Sequence, residues 1–135
     1  MRNFPHMAST SPPLVLIVED ERLIRWAIAE TLEQAGDSVI EAEDGAAAVR
    51  SLTNPDEPVD AVVLDYRLPD SNDLTLLEHI RRLSPGSAVI LMTAFGTPEI
   101  TQRALELGVY RVMNKPFEMH HLQLALLNAC DVSPR

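Results

Sequence analysis

Five short aliphatic runs alternate along this chain with longer amphipathic stretches, and turn signals close nearly every one. The runs cover residues 14–18, 38–42, 59–65, 88–93 and 109–114. They have the length of strands, and Leu14-Val15-Leu16-Ile17-Val18 and Val62-Val63-Leu64 are apolar at every position, as strands covered on both faces must be. Between them, Leu23/Ile24, Ala27/Ile28, Leu32 and Ala35 mark a helix over 22–35 that Gly36 ends. Asp44 is placed to cap a second helix over 45–52, which Asn54-Pro55 stops. A third helix spans about 74–83. A fourth opens at Thr97-Pro98 and stops at Gly108, and a fifth covers 118–129 with Leu122, Leu126 and Leu127 facing inward. Strand and helix alternating five times call for an α/β fold with a parallel sheet and right-handed crossovers.

Four of the strands end in polar groups suited to one task. Glu19-Asp20-Glu21 follows the first, Asp65 closes the third, Thr93-Ala94 closes the fourth, and Asn114-Lys115-Pro116 closes the fifth. The carboxyl edge of an open parallel sheet is where ligands bind. Each residue alone has a plain reading: a solvated acidic loop, a capping aspartate, a strand threonine, a surface lysine. The ordered set points to phosphoryl chemistry.

Composition removes several other classes. With 11 basic and 20 acidic residues the net charge is −9, and no stripe of Lys and Arg is present to replace phosphate counterions, so direct nucleic-acid binding is not expected. No apolar run approaches the ~18 to 20 residues of a membrane span, and the first residues lack the apolar core of a signal peptide. Cys130 is the only cysteine, which excludes an internal disulfide and suits the reducing cytoplasm. One domain is expected over 14–129, with a disordered leader at 1–13 and a linker stub at 130–135.

Asp65 has no packing reason to stand at the end of a valine-rich strand, whereas a carboxylate there can attack phosphorus and form an acyl phosphate. Phosphoryl transfer asks mainly for positioning and charge neutralisation. Glu19 and Asp20 are candidates to hold Mg²⁺, with Asp20 and Asp65 as direct ligands, Glu19 acting through water, and the backbone carbonyl of Arg67 as a further ligand. Lys115 supplies a compact cation for phosphoryl oxygens, and a cis bond to Pro116 would aim it inward. Thr93 offers a hydroxyl, and small Ala94 keeps access open. Trp26, His120 and His121 are read as packing or solvated residues, the histidines having no metal-ligand companion at helical spacing.

This set resembles the receiver domain of two-component response regulators across 14–129, including the separations of 45, 28 and 22 residues along Asp20, Asp65, Thr93 and Lys115. The resemblance implies a flavodoxin-like (βα)5 three-layer sandwich with sheet order 2-1-3-4-5. It further implies that Asp65 accepts phosphate from a sensor histidine kinase, and that a face of helix 4, strand 5 and helix 5 then dimerises or engages an output domain. Ile24-Arg25-Trp26, Asp65-Tyr66-Arg67-Leu68-Pro69 and Thr93-Ala94-Phe95-Gly96 look like nitrogen-regulation-type, sigma-54-dependent activators. In those proteins an ATPase and a DNA-binding domain follow, which would make this chain a fragment. Two positions depart from the family pattern. Val112 replaces the usual aromatic, with Tyr110 two places earlier as a substitute on the same face, and Asp73 replaces a glycine, so Ser71 or Asn72 is expected to cap the next helix. These departures give some weight to a pseudo-receiver acting without phosphate. An aspartate-nucleophile phosphatase is disfavoured, because Arg67 stands where its second aspartate is needed.

Overall fold

The computed structural model describes residues 12–132, so the expected leader lies outside the described residues apart from Pro12 and Pro13. Strands and helices alternate as β1 (Leu14–Val18), α1 (Arg22–Gln34), β2 (Ser38–Ala42), α2 (Gly45–Leu52), β3 (Ala61–Asp65), α3 (Thr75–Leu83), β4 (Ala88–Thr93), α4 (Pro98–Glu106), β5 (Arg111–Asn114) and α5 (Met119–Val132). Every strand pairing is parallel and the sheet order is β2-β1-β3-β4-β5, the flavodoxin-like arrangement expected.

Alternate strand residues point to opposite faces of the sheet, and each face is covered. Leu14, Leu16, Val18, Val62, Leu64, Val89 and Leu91 pack with Ala48, Leu52, Leu77, Ile80 and Ala104 from α2, α3 and α4. Val15, Ile17, Val63, Ile90, Met92 and Met113 pack with Ile28, Ala29 and Leu32 of α1 and Leu122, Ala125, Leu126 and Cys130 of α5. Two covered faces explain why the central strands carry no polar residue before their ends.

The end signals work locally as expected. Asp44 accepts the Ala47 N–H and Thr97 accepts the Ile100 N–H. Gly36 takes φ of +99°, which lets the Asp37 N–H reach back to the Leu32 carbonyl and close α1. No helix among the described residues is long and apolar enough to cross a membrane.

Several boundaries differ from the sequence reading. β3 starts at Ala61 rather than 59, the Val59 carbonyl accepting the buried Ser87 hydroxyl instead of a ladder partner. β5 starts at Arg111 rather than 109, since the Val109 N–H is spent closing α4 on the Ala104 carbonyl. Neither Ser71 nor Asn72 caps α3. Ser71 is tied through its backbone to Leu68, and Asp73 instead accepts the Thr75 N–H at 2.9 Å. α5 runs on to Val132, covering the first half of the expected linker, and Leu127 is 60% exposed. Its buried stripe is Leu122, Ala125, Leu126, Ala129 and Cys130, a helical spacing that turns position 127 outward.

Candidate functional site

β1, β3 and β4 are sheet neighbours running the same way, with Val18 level with Leu64 and Asp65 level with Met92. Their polar ends therefore emerge side by side. β5 lies beyond β4 with Asn114 level with Thr93, which brings Lys115 to the same edge. The chain turns there through a cis bond between Lys115 and Pro116. Asp20, Asp65, Arg67, Thr93, Phe95 and Lys115 line one cavity of about 450 Å³, so sequence-distant candidates share one site.

Glu19 is fully buried, and each of its polar groups has a partner. Its N–H donates to the Ala42 carbonyl, and its own carbonyl accepts Arg25 Nη1 at 2.8 Å. Oε1 accepts Lys115 Nζ at 2.8 Å and Oε2 accepts the Glu21 N–H at 3.0 Å. Asp20, next along, is exposed to the cavity. Asp65 accepts Lys115 Nζ at 3.2 Å on Oδ2 and the Arg67 N–H at 3.3 Å on Oδ1.

Burial, and after it the charge of Glu19, pushes the Asp65 carboxyl up to about 6 against the opposing pull of Lys115. Burial alone would depress Lys115, but its hydrogen bond to Glu19 and the charges of Asp65 and Glu19 hold the ammonium above the ordinary lysine value.

Glu19, Asp20 and Asp65 each offer a carboxylate oxygen, all within 4.8 Å of one another. Three carboxylates against one ammonium leave two negative charges in excess, and the donors are hard oxygens. That set fits a small divalent cation such as Mg²⁺. Glu19 and Asp65 are both bonded at each oxygen. Glu19, however, is fully buried and held at 2.8 and 3.0 Å against 3.2 and 3.3 Å for Asp65, which leaves it the least free of the three to ligate directly.

Thr93 is buried at the cavity wall, its hydroxyl accepting the Phe95 N–H at 3.2 Å and its carbonyl accepting the Lys115 N–H at 2.8 Å. Above it Phe95 is 75% exposed, with the Arg67 guanidinium 6.0 Å from its ring centroid. Both residues line the cavity. A Cβ at Gly96 would come within 2.9 Å of both Asn114 Oδ1 and Thr93 Cγ2, so the β4–α4 loop needs glycine to lie this close to the site.

Arg25 is a site residue that the sequence reading missed. Besides the Glu19 carbonyl it holds Glu41 Oε1 at 3.0 Å, tying α1, the acidic turn and β2 together. The signal was a cation on the buried stripe, four residues before Ala29 and seven before Leu32. His120 and His121 are exposed as expected. They do have a companion, however: Glu118 Oε1 lies 3.2 Å from His120 Nδ1, and the three are grouped closely enough to hold an ion.

Residues 15–127 match the family described as response regulator receiver domain. A putative NtrX-like response regulator of Rickettsia conorii is 37% identical over 121 residues, covering 88% of this chain and 25% of that protein. A cyclic di-GMP phosphodiesterase of Thermotoga maritima is 33% identical over 115 residues, covering 85% and 30%. The chain thus spans a quarter to a third of these relatives. Among solved structures, the non-phosphorylated HemR receiver domain from Leptospira biflexa superposes with a TM-score of 0.82 at 30% identity, covering 91% of this chain and 98% of that one.

Proposed function

The chain belongs to the response regulator receiver domain family of two-component systems, and on that premise we propose that Asp65 is the phosphoacceptor, taking its phosphoryl group from a sensor histidine kinase with Mg²⁺ bound. The observation that carries the proposal is Lys115 Nζ within hydrogen-bond reach of both Glu19 and Asp65, beside buried Thr93, on one sheet edge.

In this reading an Asp65 carboxylate oxygen attacks phosphorus. The N–P bond to the donor imidazole breaks, and the imidazole leaves with the bonding pair and takes up a proton. Asp20, Asp65 and the Arg67 carbonyl would hold Mg²⁺, with Glu19 reaching it through water. When bound, the ion offsets charge on the transferring oxygens and aligns them. Lys115 pairs with one phosphoryl oxygen, and Thr93 donates its hydroxyl to another. The residues hold and orient the group and do not turn over an external substrate, since Arg67 stands where an aspartyl phosphatase carries its general acid.

Phosphorylation adds roughly −1.5 to −2 charge and new acceptor oxygens. Drawing Thr93 and Lys115 inward shifts the Phe95-Gly96 loop and the face of α4, β5 and α5, a population shift between two states. Leu105 on α4 and Leu124 and Leu127 on α5 are at least half exposed, which supports an interaction role for that face. Its partner is an output domain or a second copy of the chain. A relative named the phosphate regulon transcriptional regulatory protein PhoB of Escherichia coli, 36% identical over 110 residues, favours transcription as the output, and the single cysteine suits the cytoplasm. Val112 and Asp73, which lend weight to a phosphate-independent module, are both outside the cavity lining. The test is labelling by acetyl phosphate with Mg²⁺ or with a chelator. Labelling is expected only with Mg²⁺ and not in Asp65→Asn, and equal labelling of that variant would remove Asp65 from the role.

A further inference from the structure

The amino end of α2 is held by two carboxylates, and one comes from far away. A helix leaves its first N–H groups without internal partners. Asp44, the local cap, takes the Ala47 N–H at 2.8 Å. Asp70, on the loop between β3 and α3, takes the Gly45 N–H on Oδ1 at 2.8 Å and the Ala46 N–H on Oδ2 at 3.0 Å. The Gly45 amide above all holds the Asp70 carboxyl below the usual range, so it stays ionised near neutrality.

Asp70 stands at the tip of a small closed hairpin. The Leu68 N–H donates to the Ser71 carbonyl at 2.7 Å, and the Ser71 N–H returns to the Leu68 carbonyl at 3.2 Å. Those bonds are internal to the loop and attach it to nothing else. Upstream, the chain is fixed where the Tyr66 N–H donates to the Met92 carbonyl, at 2.8 Å. Arg67 lies between that anchor and the hairpin, its own N–H 3.3 Å from Asp65 Oδ1 and its carbonyl side left to be set by the hairpin. Downstream, the buried Leu68 side chain and the Asp70 bonds to α2 attach the hairpin to the fold. Asp70 takes the two amides that Asp44 leaves open, and because it arrives from 25 positions away it also constrains the loop that delivers it.

We infer that Asp70 is a positioning residue: by latching the β3–α3 loop to the amino end of α2, it holds the Arg67 backbone at the cation site. The inference rests on the Mg²⁺ reading above and assigns Asp70 no contact with the ion.

The test is calorimetric titration of the 135-residue chain with Mg²⁺, unaltered and as Asp70→Ala, Asp70→Asn and Asp44→Ala. Outer-sphere supports of a metal site are worth roughly 10-fold or more in affinity, and a loss of that size is expected for Asp70→Ala. Hydrogen exchange at the Leu68 and Ser71 amides should quicken in the same variant. Asp44→Ala should lower the melting temperature by roughly 4 °C while leaving Mg²⁺ affinity unchanged. Unchanged affinity in Asp70→Ala, or an equal loss in Asp44→Ala, would overturn the inference. Should Asp70→Ala not fold, Asp70→Asn keeps one acceptor oxygen and is expected to fall between, and full affinity there would overturn it equally. Absence of Mg²⁺ binding by the unaltered chain defeats the underlying reading, and that failure is seen before any substitution.

Discussion

Lys115 Nζ lies 2.8 Å from Glu19 Oε1, closer than its 3.2 Å to Asp65, although 96 residues separate lysine and glutamate. Glu19 is fully buried, so this cation neutralises a carboxylate withdrawn from bulk solvent. Lys115→Ala should therefore destabilise the fold. Breaking a buried pair costs about 3–5 kcal/mol, and since the lysine is partly exposed the expected loss is about 2–3 kcal/mol. Urea unfolding at pH 7 measures it. Glu19→Gln added to Lys115→Ala should recover part of the loss, because the orphaned charge is then gone.

Asp65 gives a pH dependence whose sign follows from its raised value of about 6. The fold favours its protonated form, so the contribution to stability is complete below about 4 and is lost as pH rises through 6. With Mg²⁺ chelated, Asp65→Asn should be more stable than the unaltered chain at pH 7, by an amount on the order of 2 kcal/mol. The difference should shrink toward zero near pH 4. Paired chemical unfolding from pH 4 to 8 checks this, and a flat difference would count against the buried, charge-crowded environment described for Asp65.

Phe95 and Arg67 meet at the lining of the cavity, with Phe95 largely exposed. A cation–π contact at an exposed position is worth about 0.5–1 kcal/mol. If the pair must part for a donor to enter, Phe95→Ala should speed phosphorylation by acetyl phosphate roughly two- to fivefold, read from initial labelling rates. An unchanged rate would mean the Phe95–Arg67 contact does not limit entry.

Tyr110 does not replace the missing aromatic at 112. Its N–H donates to the Val89 carbonyl, whereas Val112 is level with Leu91. Tyr110 thus sits four strand residues below Thr93, about 13 Å along the sheet, too far for its ring to follow the hydroxyl. Tyr110→Leu should leave the beryllofluoride-induced change in solution size as it is in the unaltered chain. Loss of that change would place Tyr110 in the switch.

The fold was legible because covered strands must be apolar throughout, and because Asp44, Gly36 and Thr97-Pro98 announce helix ends through local bonds alone. The site was legible in outline for a related reason: Asp65 and Lys115 are polar where the pattern calls for more strand. What stayed hidden depends on which segments meet. Nothing around Asp70 shows that it reaches α2, and the closeness of Lys115 to Glu19 requires the sheet order. Leu127 looked inward because leucines at 122, 126 and 127 were weighed by type, when alanines at 125 and 129 mark the buried side.

Mass mapping of the modified residue bears most directly on the central claim. The 135-residue chain is treated with acetyl phosphate and Mg²⁺ and then reduced with borohydride, which converts an aspartyl phosphate to homoserine. The expected result is homoserine at position 65 alone, and none when Mg²⁺ is chelated. Conversion at another aspartate, or phosphate carried stably on a hydroxyl residue, would contradict it.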